Sequence, residues 1–128
     1  MNNLIVDAAK DKIFLTFIIG LNIYTCSHEN SKINFEKLMI LINEFLKNSK
    51  SSLDDISAIY VNRGPGSFAG IRNSLSMVKA LFLTKKIDYY CFSFDDFKQS
   101  ETTKYVDVPQ LCVKYKIKKN LINPLYLS

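Results

Sequence analysis

Histidine occurs once in this chain, at His28, and cysteine three times, at Cys26, Cys91 and Cys112. One imidazole and three scattered thiols give none of the spacings that a metal ion or a disulfide framework needs. The cysteines stand among apolar or β-forming residues and read as reduced, buried, small hydrophobes. His28, beside Glu29 and Asn30 at the end of a strand pattern, reads as a surface loop residue. No apolar run reaches the roughly eighteen residues that cross a membrane. Met1-Asn2-Asn3 lacks the positive region of a secretory signal, and Asp7, Lys10, Asp11 and Lys12 interrupt any apolar segment, so the expectation is a cytoplasmic protein with no membrane partner. There is no Gly-Lys-Ser/Thr of a phosphate loop. Gly64, Gly66 and Gly70 stand one residue off the dinucleotide fingerprint. No internal repeat is visible.

What is present describes one globular unit. The 128 residues are 48% hydrophobic and 23% charged, enough apolar content for a core and too little charge for a disordered chain. The net charge of +5 is uneven, because Lys104, Lys114, Lys116, Lys118 and Lys119 gather in the last quarter. Such lysines either touch RNA phosphates or are solvated residues on a short edge or tail, and no aromatic-and-basic RNA-binding signature accompanies them.

The stretch 53–83 organises the chain. Ile56, Ala58, Ile59, Tyr60 and Val61 form a short β-forming run, and Arg63-Gly64-Pro65-Gly66 stops it. A long helical pattern follows at once, with Ser67 placed to cap it. Ile71, Leu75, Val78 and Phe82 fall on one helix face as an ordinary core stripe. Gly70, Ser74, Met77 and Leu81 repeat the spacing on a second face, while Arg72, Ser76 and Lys79 occupy a narrow polar strip. The second face is either core of the same domain or a surface that meets a partner.

Before this stretch, short strands are expected at 4–6, 13–19 and 23–27, joined by tight turns as an antiparallel meander, with the third nearest the sheet edge. A helix over 35–47 carries the wide stripe Phe35, Leu38, Met39, Leu41, Ile42, Phe45 and Leu46. After it, Ile87 to Ser93 reads as a strand parallel to the central one, and Phe94 to Phe97 as a short helical turn. Residues 108–117 read as one more strand, and 121–127 as an apolar tail broken by Pro124. The order is α/β: a three-strand meander beside two parallel strands with helices on the sheet, one half of the actin and sugar-kinase type of fold.

At Asn62-Arg63-Gly64-Pro65-Gly66-Ser67-Phe68-Ala69-Gly70-Ile71-Arg72 the sequence resembles the GPGSFTGLR segment of the TsaB family, which supports synthesis of threonylcarbamoyladenosine beside the anticodon of tRNAs. Leu53 to Ile56, Ser74 to Leu81, Tyr90 to Phe97 and Pro124-Leu125-Tyr126-Leu127 also resemble family segments. The departures each remove a polar group: Asp7-Ala8-Ala9 for an Asp-Thr-Ser-like end of the first strand, Ala69 for the motif threonine, and Asn34-Phe35-Glu36 for His-Ser-Glu. The resemblance implies a single actin-like (ribonuclease H-like) domain over 1–98, with 99–128 a short extension in place of the family's second domain. It implies a non-catalytic subunit that binds TsaD, works with TsaE, meets tRNA indirectly and DNA not at all. ATP and metal then belong to TsaD, and this chain has no cofactor of its own. The partner interface is expected at Phe35, Leu38, Met39, Ile42, Gly70, Ser74, Met77 and Leu81, with Gly64, Pro65, Gly66, Ser67, Phe68, Gly70 and Arg72 as the structural motif. The alternatives are a small basic RNA-binding accessory protein using the C-terminal lysines, and a degenerate paralogue that forms a homodimer through the same helices. Serine catalysis at Ser67 is not expected, for want of a base within reach.

Overall fold

Successive side chains of a strand point to opposite faces, so a run such as Leu4-Ile5-Val6 with no polar member needs cover on both sides. In the computed structural model, which describes residues 1–98 and 104–126, that run is the centre of a five-stranded sheet. The strands are β1 (Asn3–Asp7), β2 (Lys12–Ile19), β3 (Asn22–Glu29), β4 (Ala58–Asn62) and β5 (Asp88–Phe92). The helices are α1 (Lys32–Glu36), α2 (Leu38–Asn48), α3 (Phe68–Lys85) and α4 (Val108–Lys114). In the sheet order β3-β2-β1-β4-β5, β1 pairs antiparallel with β2 and parallel with β4. β2 pairs antiparallel with β3, and β4 parallel with β5. The fold is the expected one, a meander continued by two parallel strands, with β3 at an edge.

Two cores follow from the alternation. Leu4, Val6, Leu15 and Phe17 pack beneath Ile42 and Leu46 of α2 and Ile71 and Val78 of α3. Ile5 faces the other way, with Ala58, Tyr60 and Phe92, against Val108, Leu111 and Cys112 of α4. Each fully buried Leu, Ile or Phe contributes about 1.5–3 kcal/mol, so both layers are needed by a chain of this size.

Three details differ from the sequence reading. The helix expected over 35–47 is two helices, divided at Lys37, whose φ of −96° and ψ of 14° leave the helical region. The division sets Phe35 over the start of α3 while α2 runs along β2. Residues 108–117 are not a strand. Val108, Leu111, Cys112 and Tyr115 recur at helical spacing, Pro109 sits in the first turn, where its missing N–H costs nothing, and the segment is α4 followed by a turn. His28 is in no loop: it is the seventh residue of β3, half-buried, with Nε2 3.7 Å from the Cys26 sulfur.

The extension is part of the same unit. The expected boundary after residue 98 falls at 99–103, and Leu127 of the tail also lies outside the described residues. Residues 104–126 return across the sheet. The Asn120 N–H donates to the Tyr89 carbonyl at 2.7 Å, Asn120 Oδ1 accepts from the Tyr89 N–H at 2.9 Å, and Lys119 bridges to Tyr90. Part of the β5 edge, which would otherwise present unpaired backbone groups, is covered in this way.

Burial pushes all three thiols up from the usual value, Cys91 and Cys112 to about 12, but Cys26 on β3 is only half-buried rather than enclosed. A disulfide reagent at pH 8 is therefore expected to label Cys26 in the native protein and Cys91 and Cys112 only after unfolding. Peptide mass mapping of the native labelling checks this, and early label on Cys112 would contradict the packing of α4.

Candidate protein-docking site

The turn after β4 is built on close backbone approaches. The Gly64 N–H donates to Asn62 Oδ1 at 2.9 Å, and Gly64 has a φ of +108°, which a side chain rarely tolerates. A Cβ there would lie 2.0 Å from the Leu125 carbonyl oxygen. At Gly66 a Cβ would meet the Ala9 carbonyl oxygen at 2.1 Å, and at Gly70 that of Ala8 at 1.9 Å. The turn after β1 thus lies directly on the entry of α3, and the Ser67 N–H donates to the Ala9 carbonyl at 3.0 Å. Ser67 caps α3: its Oγ accepts from the Gly70 N–H at 3.3 Å. Pro65 is exposed on the rim of this turn, and Phe68 and Arg72 face solvent.

The departures from the TsaB pattern converge on this seam. Ala8 and Ala9 are buried against Gly70 and Gly66, Ala69 packs on the same core, and Phe35 lies over Gly70.

The expected interface residues divide into two groups. Gly70, Ser74 and Ile42 are buried inside the chain, so the small face of α3 is filled by this chain's own α1 and β1–β2 turn. Ser74 donates its hydroxyl to the Gly70 carbonyl at 2.8 Å and is 0% exposed. Phe35, Leu38, Met39, Met77 and Leu81 line an apolar groove of about 380 Å³ between α1–α2 and α3 with Glu36, Asn73 and Ser76; Phe35, Leu38 and Leu81 form its buried floor, and Met39 and Met77 are the half-buried residues that reach its opening. The sequence pattern identifies the helix faces, but the reach of α1 over Gly70 carries no local signal.

A second cluster escapes sequence reading altogether. Asp7, at the carboxyl end of β1, is 0% exposed and accepts from the Ala9 N–H at 3.0 Å and from the Tyr105 hydroxyl at 2.5 Å. Burial, and then the Asp7 charge, drive the Tyr105 phenol well above its ordinary value, so it stays protonated and donates. Lys10 Nζ lies 3.7 Å from the same carboxylate and 4.5 Å from the centre of the Phe94 ring. Arg63 reads in the sequence only as part of the turn, yet its guanidinium forks onto Asp96 at 2.7 and 3.4 Å and donates to the Asn123 carbonyl at 3.1 Å. With the Leu125 N–H donating to the Arg63 carbonyl at 2.7 Å, Arg63 fastens the tail to the turn. Among the described residues no group of three His, Cys, Asp or Glu is arranged for a metal ion. Among the described residues no helix is long and apolar enough to cross a membrane.

The sheet order, the crossover α3 and the glycine turn define an α/β domain of the actin-like class. A family model described as "TsaD: tRNA N6-adenosine threonylcarbamoyltransferase" matches residues 29–93, just over half of the chain. A curated relative from Buchnera aphidicola subsp. Schizaphis graminum, named tRNA threonylcarbamoyladenosine biosynthesis protein TsaB, is 30% identical over 90 residues. A TsaB from Buchnera aphidicola subsp. Baizongia pistaciae is 32% identical over 83 residues. The chain belongs to the TsaB family. The two alignments cover 70% and 56% of this chain but 43% and 38% of those proteins, so it spans about two-fifths of the length of the curated relatives it matches. The structure of YeaZ from Pseudomonas aeruginosa superposes on 72% of the chain and 43% of its own, with a TM-score of 0.66 at 18% identity, which is a likeness of fold.

Replacing Gly70 by Ala is expected to force the Ala8 carbonyl and the α3 backbone apart, at a cost of about 1–3 kcal/mol. Thermal unfolding checks this: Gly70→Ala should lower the midpoint by several degrees, whereas Ala80→Ser, at an exposed position of the same helix, should leave it within a degree or two.

Proposed function

We propose that this chain is a non-catalytic subunit in the formation of threonylcarbamoyladenosine in tRNA, and that it acts by docking onto TsaD through the groove between α1–α2 and α3. The observation that carries the reading is the groove itself, where the half-buried Met39 and Met77 open above a floor of Phe35, Leu38 and Leu81. Apolar surface of this kind is stabilised by a partner of matching shape. The occupant is a helix pair of the same design. TsaD gives its name to the family model that fits residues 29–93, and those residues include α1, α2 and all of α3. Two related helix pairs then pack face to face, each filling the other's channel, in the manner of an approximate two-fold dimer.

The catalytic chemistry belongs to the partner in this reading, with its ATP and metal, and TsaE joins the assembly through TsaD. Within this chain Ser67 is committed to capping α3, and Asp7 is enclosed by Tyr105 and the Ala9 N–H. Asp7 is shut off from solvent, and the Ser67 hydroxyl is held by the helix it caps.

Met77 is half-buried, packing on the edge of the core and opening into the groove, so a charge placed there disturbs the groove far more than the interior. Met77→Glu is expected to weaken binding to TsaD of the same organism at least a hundredfold by calorimetry, while the chain stays folded by circular dichroism with a modestly lowered unfolding midpoint. Unaltered affinity would refute the groove as the docking site. A homodimer that forms without TsaD and is dissolved by Met77→Glu would assign the groove to a second copy instead.

A further inference from the structure

α3 contains no aspartate or glutamate in its eighteen residues. Of its three cations, Lys85 pairs with Asp54 at 3.1 Å, whereas Arg72 and Lys79 are exposed and make no ion pair among the described residues. They stand seven residues apart on one side of the helix, about 10 Å by its rise. Beside them are two rings that the core does not use. Phe68 is 58% exposed at the first turn of α3, and Tyr126 of the tail, 40% exposed, lies against it with ring centres 4.7 Å apart and planes tilted by 48°. The Arg72 guanidinium is 5.6 Å from the centre of the Phe68 ring, and between α3 and the tail lies a shallow recess of about 150 Å³, lined by Arg72, Leu75, Lys79, Ile122, Pro124 and Tyr126.

From this juxtaposition we infer that the outer side of α3 and the tail segment 122–126 form a contact surface for single-stranded RNA. Exposed aromatic rings beside unpaired cations are what an unstacked base and its flanking phosphates require: the base lies on the ring and the phosphates meet the guanidinium and ammonium. Free carboxylates, which would repel a polyanion, are absent from the helix. The surface adjoins the docking groove, Ser76 lining both, but Arg72 and Lys79 lie on its own side of α3 and Met77 and Leu81 on the groove's. It differs from the C-terminal lysines, of which Lys119 pairs with Asp88 and Lys114 lies over the Tyr115 ring. The preference for RNA over DNA rests on the role in tRNA modification proposed above; the surface itself rests on the rings and charges.

The test is fluorescence anisotropy of labelled eight-nucleotide single-stranded RNAs, one of uridine and one of adenosine, titrated with the full chain at low salt. Phe68→Ala is expected to weaken binding about tenfold or more. Arg72→Gln with Lys79→Gln should weaken it and flatten the dependence of log affinity on log salt by about 1.4, or ~0.7 for each phosphate that is no longer neutralised. All three side chains are exposed, so unfolding midpoints should be unchanged. The inference is overturned by no detectable binding, by affinity that survives these variants but falls when Lys114, Lys116, Lys118 and Lys119 become Gln, or by equal affinity for duplex RNA. Met77→Glu separates the two proposals: loss of TsaD binding with RNA binding intact supports both. Loss of TsaD binding without any RNA binding leaves docking standing and removes the RNA surface.

Discussion

The fold depends on one backbone contact, the turn after β1 lying on the first turn of α3. At Gly66 and Gly70 the Ala9 and Ala8 carbonyls approach so closely that a Cβ at either glycine would overlap them. Because β1 and β4 are paired in the sheet, this contact fixes the angle at which α3 leaves β4 and therefore which of its faces meets the sheet. Ile71, Leu75 and Val78 then bury over β1 and β4, and Phe35 closes over Gly70. The groove between α1–α2 and α3 is a consequence: two helix segments held by the same seam leave Met77 and Leu81 on one wall and Leu38 and Met39 on the other.

The C-terminal segment performs a second structural task. α4 covers the sheet face opposite α1–α3, and the strand-like tail covers part of the β5 edge before reaching the glycine turn. Arg63 connects all three parts, since its fork holds Asp96 after β5 while its Nη1 and carbonyl hold Asn123 and Leu125. Charge-assisted bonds of this kind contribute about 1.5–3 kcal/mol when partly buried. Tyr105 works in the same sense at the end of β1, where its hydroxyl satisfies a carboxylate that would otherwise be buried at considerable cost.

Much of this architecture is legible in the residues. Period-two and helical patterns locate the five strands and the long helix, and the crossover length dictates a parallel β4–β5 pair. The Gly-Pro-Gly-Ser segment marks the strand-to-helix turn with its cap because its chemistry is local. What escapes is non-local. α4 reads as a strand because Val108, Val113 and Ile117 are β-formers, although the Val108, Leu111, Cys112 spacing and Pro109 favour a helix. Gly70 and Ser74 look available to a partner because periodicity reports that a face is buried without saying against what. The Arg63–Asp96 and Asp7–Tyr105 pairs join residues 33 and 98 positions apart, and no spacing rule reaches that far.

The central claim is that the groove between α1–α2 and α3 is where TsaD sits. Hydrogen–deuterium exchange of the chain alone and saturated with TsaD of the same organism tests it most directly, because exchange reports each segment separately. The account predicts added protection confined to α1, the first turns of α2 and the Asn73–Leu81 part of α3, with β3 and α4 unchanged. Protection at the β3 edge or across α4, with the groove segments exchanging as before, would contradict it.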